Sequence, residues 1–137
     1  LTIFGDGSQT RAFSHIDDVA PIIARSIDVP SARNQVFNVG ADRPVSVNDL
    51  ALAVMNAMGT RVEIRHLPAR NEVVHAFASH EKVREAFGLT DDPVSLEAGL
   101  AGMSEWAKAV GARAGKPFEG VEIEKSLPPS WKSLTKG

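Results

Sequence analysis

Short extended segments alternate with amphipathic helical segments along residues 1–111, and glycine or proline stands at most of the junctions between them. Extended segments show β-branched or alternating apolar residues, whereas helical segments place apolar residues three or four positions apart. This alternation predicts an α/β fold made of short strands and about four amphipathic helices. The length of 137 residues suits a single domain with a sizeable core.

The first predicted helix follows a glycine turn and an arginine, and it starts near two adjacent aspartates. Asp17 and Asp18 are each able to cap this helix by accepting a hydrogen bond from one of its first free N–H groups. Asp18 is the favoured cap, because Pro21 then lies in the first turn, where its missing N–H breaks no helical hydrogen bond. We therefore interpret the two carboxylates as a helix start and not as an acid–base pair. The apolar residues on one face of this helix are Val19, Ile22, Ile23 and Ile27.

Start and stop signals define the other three helices. Ser46 begins the second helix as its cap, and Gly59 ends it. Ser79 begins the third helix, which ends at Gly88 in the pattern of a left-handed cap. The fourth helix follows residues 93–95. Strands are predicted at 1–4, at 36–39, around 62–64 and at 73–77.

The composition changes after the fourth helix, and residues 112–137 are rich in glycine, proline, serine and lysine. Two adjacent prolines in this region exclude a helix around them. We therefore predict a folded lobe over residues 1–111 and an irregular tail over residues 112–137, docked through Phe118 and Trp131.

The charge and the residue types exclude several classes of function. The formal net charge is −2, from 15 lysines and arginines against 17 aspartates and glutamates, so no broad positive field attracts nucleic acid or an anionic membrane. The chain has no cysteine, and its four histidines include no pair at the i, i+4 spacing of a helical metal site, so we predict neither a disulfide nor a bound metal. The sequence shows no pattern typical of a signal peptide or a membrane span, and we expect a cytoplasmic protein.

Two arginines are candidates for binding an anion. Arg11 follows the glycine turn and stands two residues before Phe13, and in an extended strand these two side chains point to the same side. A guanidinium next to an aromatic ring suits a phosphate that adjoins a base or a sugar. Arg70 lies in the polar loop 67–72 between two extended runs. From these residues alone, a solvated loop arginine remains the alternative interpretation for both.

Five segments, taken together, resemble a known family. They are LTIFGDGSQTRAFSHIDDVA, VFNVGADRPVSVNDLA, LPAR, KVREAFGL and SLEAGLAGMSEW. In order and spacing, this set is similar to the C-terminal part of the extended short-chain dehydrogenases. The resemblance covers residues 1 to about 110 and is to the NAD-dependent epimerases and dehydratases of nucleotide sugars, such as UDP-glucose 4-epimerase.

The resemblance implies that the chain is a substrate-binding C-terminal lobe, with a UDP-sugar as the expected nucleotide sugar. It assigns Arg11 and Arg70 to the diphosphate of the substrate. It also implies that Phe13 lies beside the nucleotide and that Glu72 contacts the ribose hydroxyls. Asp18 matches an aspartate that many family members have at a helix start.

The resemblance also implies parts that this chain does not contain. Family members hold NAD at a glycine-rich turn between a strand and a helix, and their general base is a tyrosine with a lysine four residues later. The chain has no such glycine-rich turn and no tyrosine. We therefore expect no catalytic, cofactor-binding or metal-binding residue in this chain, and we expect NAD and the base on an N-terminal Rossmann lobe that is missing from it.

Two further expectations concern partners and alternatives. The family resemblance allows a homo-oligomer of the complete enzyme. The alternative to an enzyme lobe is a stand-alone binding or regulatory module that keeps the fold without catalysis. Ala12 and Ser79 depart from the family pattern, since many members have an aspartate at both positions.

Overall fold

The computed structural model describes residues 1–112 and 115, so the predicted tail with Phe118 and Trp131 lies outside the described residues, apart from positions 112 and 115. The described residues form four α-helices and five short strands, which confirms the predicted α/β class. Within them, no helix combines the length and the apolar character that crossing a membrane requires. The helices are α1 (Ile16–Arg25), α2 (Val47–Met58), α3 (Glu81–Phe87) and α4 (Leu96–Val110), and the strands are β1 (Thr2–Phe4), β2 (Thr10–Ala12), β3 (Pro44–Ser46), β4 (Arg65–Leu67) and β5 (His75–Ala76).

The strands form two small sheets, and each sheet contains one parallel pair. β1 pairs with β4 in parallel, and β2 lies between antiparallel β3 and parallel β5. Arg11 is therefore the middle residue of a central strand, opposite Val45 on one side and Ala76 on the other. Because β1 leads into β2 and β4 leads into β5, the two connecting loops, 5–9 and 68–74, run side by side from one sheet to the other.

Loop 5–9 is a tight turn that requires glycine. Gly5 and Gly7 have φ angles of +75° and +78°, in the left-handed region that other residues rarely adopt. A Cβ atom at Gly7 would collide with the side chain of Asn48, whose Nδ2 donates a hydrogen bond to the carbonyl of Asp6 at 2.9 Å. The start of α2 is thereby packed against the turn.

The largest apolar cluster lies where α1 and α3 meet. Ile22, Val83 and Phe87 are buried together, and the ring of Phe37 meets the ring of Phe87 edge to face, with 5.6 Å between the ring centres. A second contact joins α4 to α2, where the hydroxyl of buried Ser104 donates a hydrogen bond of 2.8 Å to a backbone carbonyl of α2. Of these helices, α2 also packs against a strand, β3, which directly precedes it.

The predicted cap of α2 at Ser46 and the predicted ends of α2 and α3 at Gly59 and Gly88 are confirmed, and α4 begins directly after Ser95. The hydroxyl groups of Ser46 and Ser95 accept hydrogen bonds from backbone N–H groups in the first turns of α2 and α4, at 3.0 and 3.1 Å. Gly59 and Gly88 end α2 and α3 in the left-handed conformation. These four residues mark the starts of α2 and α4 and the ends of α2 and α3.

The predicted cap of the first helix is wrong. α1 begins one residue after His15, whose Nδ1 accepts a hydrogen bond from the Asp17 N–H at 3.3 Å. Asp18 instead accepts the Val94 N–H with its two carboxylate oxygens, at 3.0 and 3.2 Å, and so joins α1 to the segment that precedes α4. Pro21 lies within α1, and the helix gives up one backbone hydrogen bond there because the proline nitrogen carries no hydrogen.

The apolar face predicted for α1 is only partly buried. Ile22 packs in the core, but Ile23 and Ile27 are 61% and 88% exposed. A shift of one position turns a side chain by about 100° around a helix, which moves Ile23 away from the face that Ile22 presents to the core. α1 therefore carries apolar residues on two sides.

The segment 36–39 is not a strand, contrary to the prediction. Phe37 and Val39 are half-buried against the cluster of α1 and α3, whereas Val36 is 85% exposed. Among the described residues, no strand pairs with this segment. Its alternation of buried and exposed residues therefore arises from packing against helices, which the sequence pattern does not distinguish from a sheet.

Three other elements begin later than predicted. β5 begins at His75 rather than at residue 73 and ends at Ala76. β4 begins at Arg65 rather than near 62–64, because its partner β1 starts opposite it at Thr2. α3 begins at Glu81, and the hydroxyl of Ser79 accepts a long hydrogen bond of 3.4 Å from the Glu81 N–H.

Candidate functional site

Loops 5–9 and 68–74 form the walls of a cleft between the two sheets. The loops are joined at both ends, since the Gly5 N–H donates to the Leu67 carbonyl and the Thr10 N–H donates to the Val74 carbonyl, each at 2.9 Å. The cleft has a volume of about 390 Å³. Its lining residues are Phe4, Gly5, Asp6, Ser8, Gln9, Ala69, Arg70, Glu72 and Val74.

Arg11 reaches toward this cleft from the centre of β2. Its Nη1 donates to the carbonyls of Thr10 at 2.7 Å and Val74 at 3.2 Å, and its Nη2 donates to Oε2 of Glu72 at 3.2 Å. The side chain of Arg11 is 29% exposed and that of Glu72 is 41% exposed. Two backbone carbonyls therefore fix the guanidinium, while its ion pair with Glu72 remains open to solvent.

Arg70 lies on the wall of the cleft and is stacked on an aromatic ring. Its guanidinium carbon is 3.3 Å from the centre of the Phe4 ring, which is a close cation–π contact. In the part of the chain that the structure describes, its N–H groups donate to no protein acceptor. The guanidinium of Arg70 is thus held by its stacking on Phe4 and not by an acceptor among the described residues.

The cleft also carries carboxylates. Asp6 accepts hydrogen bonds from the hydroxyl of Ser8 at 2.7 Å and from the Ser8 N–H at 2.9 Å. These bonds, the hydroxyl bond first, lower the pKa of Asp6 below its ordinary value, because they stabilise the ionised carboxylate. Asp6 and Glu72 thus place two carboxylates in the lining of the cleft, and that of Glu72 is paired with Arg11.

Phe13 lies outside this cleft. β2 ends one residue before Phe13, so the alternation of sides along the strand does not extend to it. Phe13 lines a second cleft of about 490 Å³, together with residues 41–45 and the start of α4. The structure therefore pairs Arg11 with Glu72, which lines the cleft with Arg70, and places Phe13 separately.

A buried histidine forms another polar cluster. His80 is 6% exposed, and its Nδ1 lies 2.6 Å from Oδ1 of Asp42. The Nε atom of Arg84 lies 3.6 Å from the other oxygen of the same carboxylate. These contacts fasten the segment around Asp42 to α3. Across residues 1–112, no group of three or more histidine, aspartate or glutamate side chains is arranged to hold a metal ion.

Phe4 is the aromatic residue of the cleft, and the sequence analysis did not identify it as a site residue. The sequence places it only at the end of an extended segment. Phe4 meets Arg70 because β1 and β4 pair in parallel, with Phe4 opposite Leu67 at the ends of the two strands. An aromatic residue at the end of one strand, with an arginine shortly after its partner strand, is the signal that points to this contact.

The chain was compared with known proteins. No protein-family model matches it. The ADP-L-glycero-D-manno-heptose-6-epimerase of Pseudomonas paraeruginosa is 33% identical over 123 residues, which cover 75% of this chain and 36% of that protein. The chain thus spans about a third of the length of the curated relatives that it matches.

Solved structures show the same partial coverage. UDP-glucose 4-epimerase of Thermotoga maritima, determined with UDP-glucose, is 30% identical with a TM-score of 0.69, over 80% of this chain and 35% of that one. UDP-glucuronic acid 4-epimerase of Bacillus cereus, determined with UDP-glucuronic acid and NAD, is 26% identical with a TM-score of 0.72. The latter match covers 81% of this chain and 36% of that one.

Proposed function

Since the chain belongs to the family of nucleotide-sugar epimerases and dehydratases within the extended short-chain dehydrogenases, we propose that it is the substrate-binding C-terminal lobe of such an enzyme. The lobe binds the diphosphate of a nucleotide sugar, taken to be a UDP-sugar, in the cleft between loops 5–9 and 68–74. The Thermotoga and Bacillus relatives support this choice, because their structures hold UDP-glucose and UDP-glucuronic acid.

The observation that carries the proposal is that two arginines from distant parts of the sequence are both tied to loop 68–74. Arg70 lies on the wall of the cleft, and Arg11 contacts Glu72, two residues further along the same loop. A planar guanidinium presents paired N–H donors that match phosphate oxygens, and a diphosphate offers enough oxygens for two such groups. In this proposal Arg11 and Arg70 neutralise the diphosphate and so fix the position of the attached sugar.

The proposal extends to the nucleoside. Glu72 accepts hydrogen bonds from the ribose hydroxyls, since an ionised carboxylate has acceptors only. Phe13 packs beside the nucleotide. Because Phe13 lines the second cleft, this contact requires the ligand to extend beyond the end of β2.

NAD is the cofactor that we propose for the complete enzyme, in which it takes up and returns a hydride. The residues of this chain do not fit NAD. Loop 5–9 leads into a strand rather than into a helix, and Asn48 fills the space beside Gly7. The chain also has no tyrosine to serve as the family's general base. We therefore place NAD and the base on an N-terminal Rossmann lobe and assign no catalytic residue to this chain.

Calorimetric titration of the 137-residue chain with UDP tests the proposal. We expect saturable binding that Arg11→Ala and Arg70→Ala each weaken by about 10- to 150-fold, because a hydrogen bond to a charged group is worth about 1.5–3 kcal/mol. Arg61→Ala removes an exposed arginine away from the cleft and is the matched control. The proposal fails if UDP does not bind, or if both cleft variants bind UDP as the control does while all melt at the same temperature.

A further inference from the structure

The carboxylate of Glu72 occupies a position that suits an external anion. Two donors of Arg11 are used by the carbonyls of Thr10 and Val74, which hold the guanidinium in place. Its Nη2 donates to Oε2 of Glu72 at 3.2 Å, and among the described residues this is the only carboxylate in contact with Arg11. An anion that takes this Nη2 donor of Arg11 therefore competes with the carboxylate of Glu72.

The ion pair of Arg11 and Glu72 is open to replacement by another anion. Both side chains are partly exposed, and an ion pair of this kind is weak because water solvates and screens both charges. Loop 68–74, which carries Glu72, is held by the hydrogen bond from the Thr10 N–H to the Val74 carbonyl and by the stacking of Arg70 on Phe4. The loop therefore has a backbone contact and a stacking contact that do not involve the carboxylate of Glu72.

We propose that Glu72 is an internal competitor for the anion site of Arg11, and that a diphosphate must displace its carboxylate in order to bind. This inference rests on the proposed function, because it concerns the same diphosphate site. Once displaced, the carboxylate of Glu72 accepts hydrogen bonds from the ribose hydroxyls of a nucleoside diphosphate. A nucleotide thus recovers the contact that it breaks, whereas a diphosphate without ribose does not.

Two ligands separate the competitor role from a simple ribose contact. Inorganic pyrophosphate has the diphosphate charge and no ribose, and UDP has both. Glu72→Gln keeps the size of the side chain and removes its charge. The competitor role predicts that this variant binds pyrophosphate about two- to fivefold more tightly than the parent, as expected for release of an exposed ion pair. The affinity of this variant for UDP rises less than its affinity for pyrophosphate, or falls, because the ribose contact is weakened. A role in ribose binding alone predicts no change for pyrophosphate.

The experiment is calorimetry of the 137-residue chain with pyrophosphate and with UDP at one ionic strength. Glu105→Gln on the exposed surface of α4 makes the same change in net charge and is the control, with parent affinity expected. The gain from Glu72→Gln must also vanish in an Arg11→Ala background, because there is no guanidinium left to compete for.

The outcomes separate this inference from the function on which it rests. The inference is overturned if Glu72→Gln binds pyrophosphate no better than the parent, or if the gain persists without Arg11 or appears equally in Glu105→Gln. In each of these cases a loss of UDP binding in Arg11→Ala still supports the diphosphate site. If the parent binds neither pyrophosphate nor UDP, the proposed function fails and the competitor role fails with it.

Discussion

Single side chains join parts of this molecule that are far apart in sequence. The carboxylate of Asp18 accepts the Val94 N–H and so links α1 to the segment before α4. Arg11 and Glu72 link β2 to loop 68–74 in the same way. At both places a charged residue near the surface contacts a distant part of the chain. A substitution there is therefore expected to change stability, and stability must be measured beside binding.

Asp18→Ala is expected to lower the free energy of unfolding by about 1–3 kcal/mol, because the partly buried Val94 N–H loses its acceptor. Asp18→Asn is expected to be milder, since the amide oxygen still accepts a hydrogen bond. Asp17→Ala is the control, as Asp17 is exposed and accepts no comparable long-range bond. Urea denaturation of the three variants gives the comparison. Equal losses for Asp17→Ala and Asp18→Ala would show that the contact with Val94 contributes nothing.

Arg11→Lys is expected to bind UDP with an affinity between those of the parent and Arg11→Ala. An ammonium keeps the charge, but it cannot present the fork of donors that now contacts Thr10, Val74 and Glu72. Calorimetry with UDP measures the difference. Parent affinity in Arg11→Lys would mean that charge alone, without planar geometry, determines binding at this position.

At the scale of elements, loop 5–9 depends on its contact with the start of α2. Gly7 has a left-handed backbone and lies against the side chain of Asn48, which donates to the carbonyl of Asp6. Gly59, which ends α2, has a similar φ of +68° but open space around it. The two glycines therefore differ in packing and share the same backbone requirement.

Gly7→Ala is expected to destabilise the chain more than Gly59→Ala. Each substitution forces a Cβ into the left-handed region, at a cost of about 1–2 kcal/mol. Gly7→Ala must also displace Asn48 and break its hydrogen bond, which adds about 1 kcal/mol. Thermal and urea denaturation of both variants measure the difference. Equal effects would show that backbone strain alone makes glycine necessary at position 7.

At the scale of the whole molecule, α1 has an apolar surface that the described residues do not cover. Ile16 and Ile23 of α1, and Ile27 in the turn that follows it, lie at helical spacing and are all exposed. Apolar patches larger than a few hundred Å² usually mark a contact with another protein surface. We propose that this stripe packs against the Rossmann lobe in the complete enzyme.

The isolated chain is expected to self-associate through this stripe. Ile23→Ser combined with Ile27→Ser is expected to reduce association without lowering the melting temperature, because both side chains are exposed. Ile22→Ser is the contrasting variant and should destabilise the fold, since Ile22 lies in the core. Sedimentation velocity over a range of concentrations gives the measurement. A parent chain that stays monomeric at high concentration and melts cooperatively would contradict this expectation.

The sequence by itself determined the local structure and the family. Ser46 and Ser95 begin helices, and Gly59 and Gly88 end them, because caps act through backbone groups only a few residues away. Five quoted segments pointed to the nucleotide-sugar epimerases and dehydratases, and the comparisons confirm that family. The binding roles of Arg11 and Arg70 stay predictions. Both arginines lie within the quoted segments.

Only the tertiary structure decided which distant residues meet. The parallel pairing of β1 with β4 and of β2 with β5 laid the two loops side by side, which brought Arg70 onto Phe4 and Glu72 onto Arg11. Asp18 has the local pattern of a helix cap, yet its acceptor oxygens face Val94. A carboxylate offers the same oxygens to either partner, so the choice depends on which N–H the folded chain brings within reach.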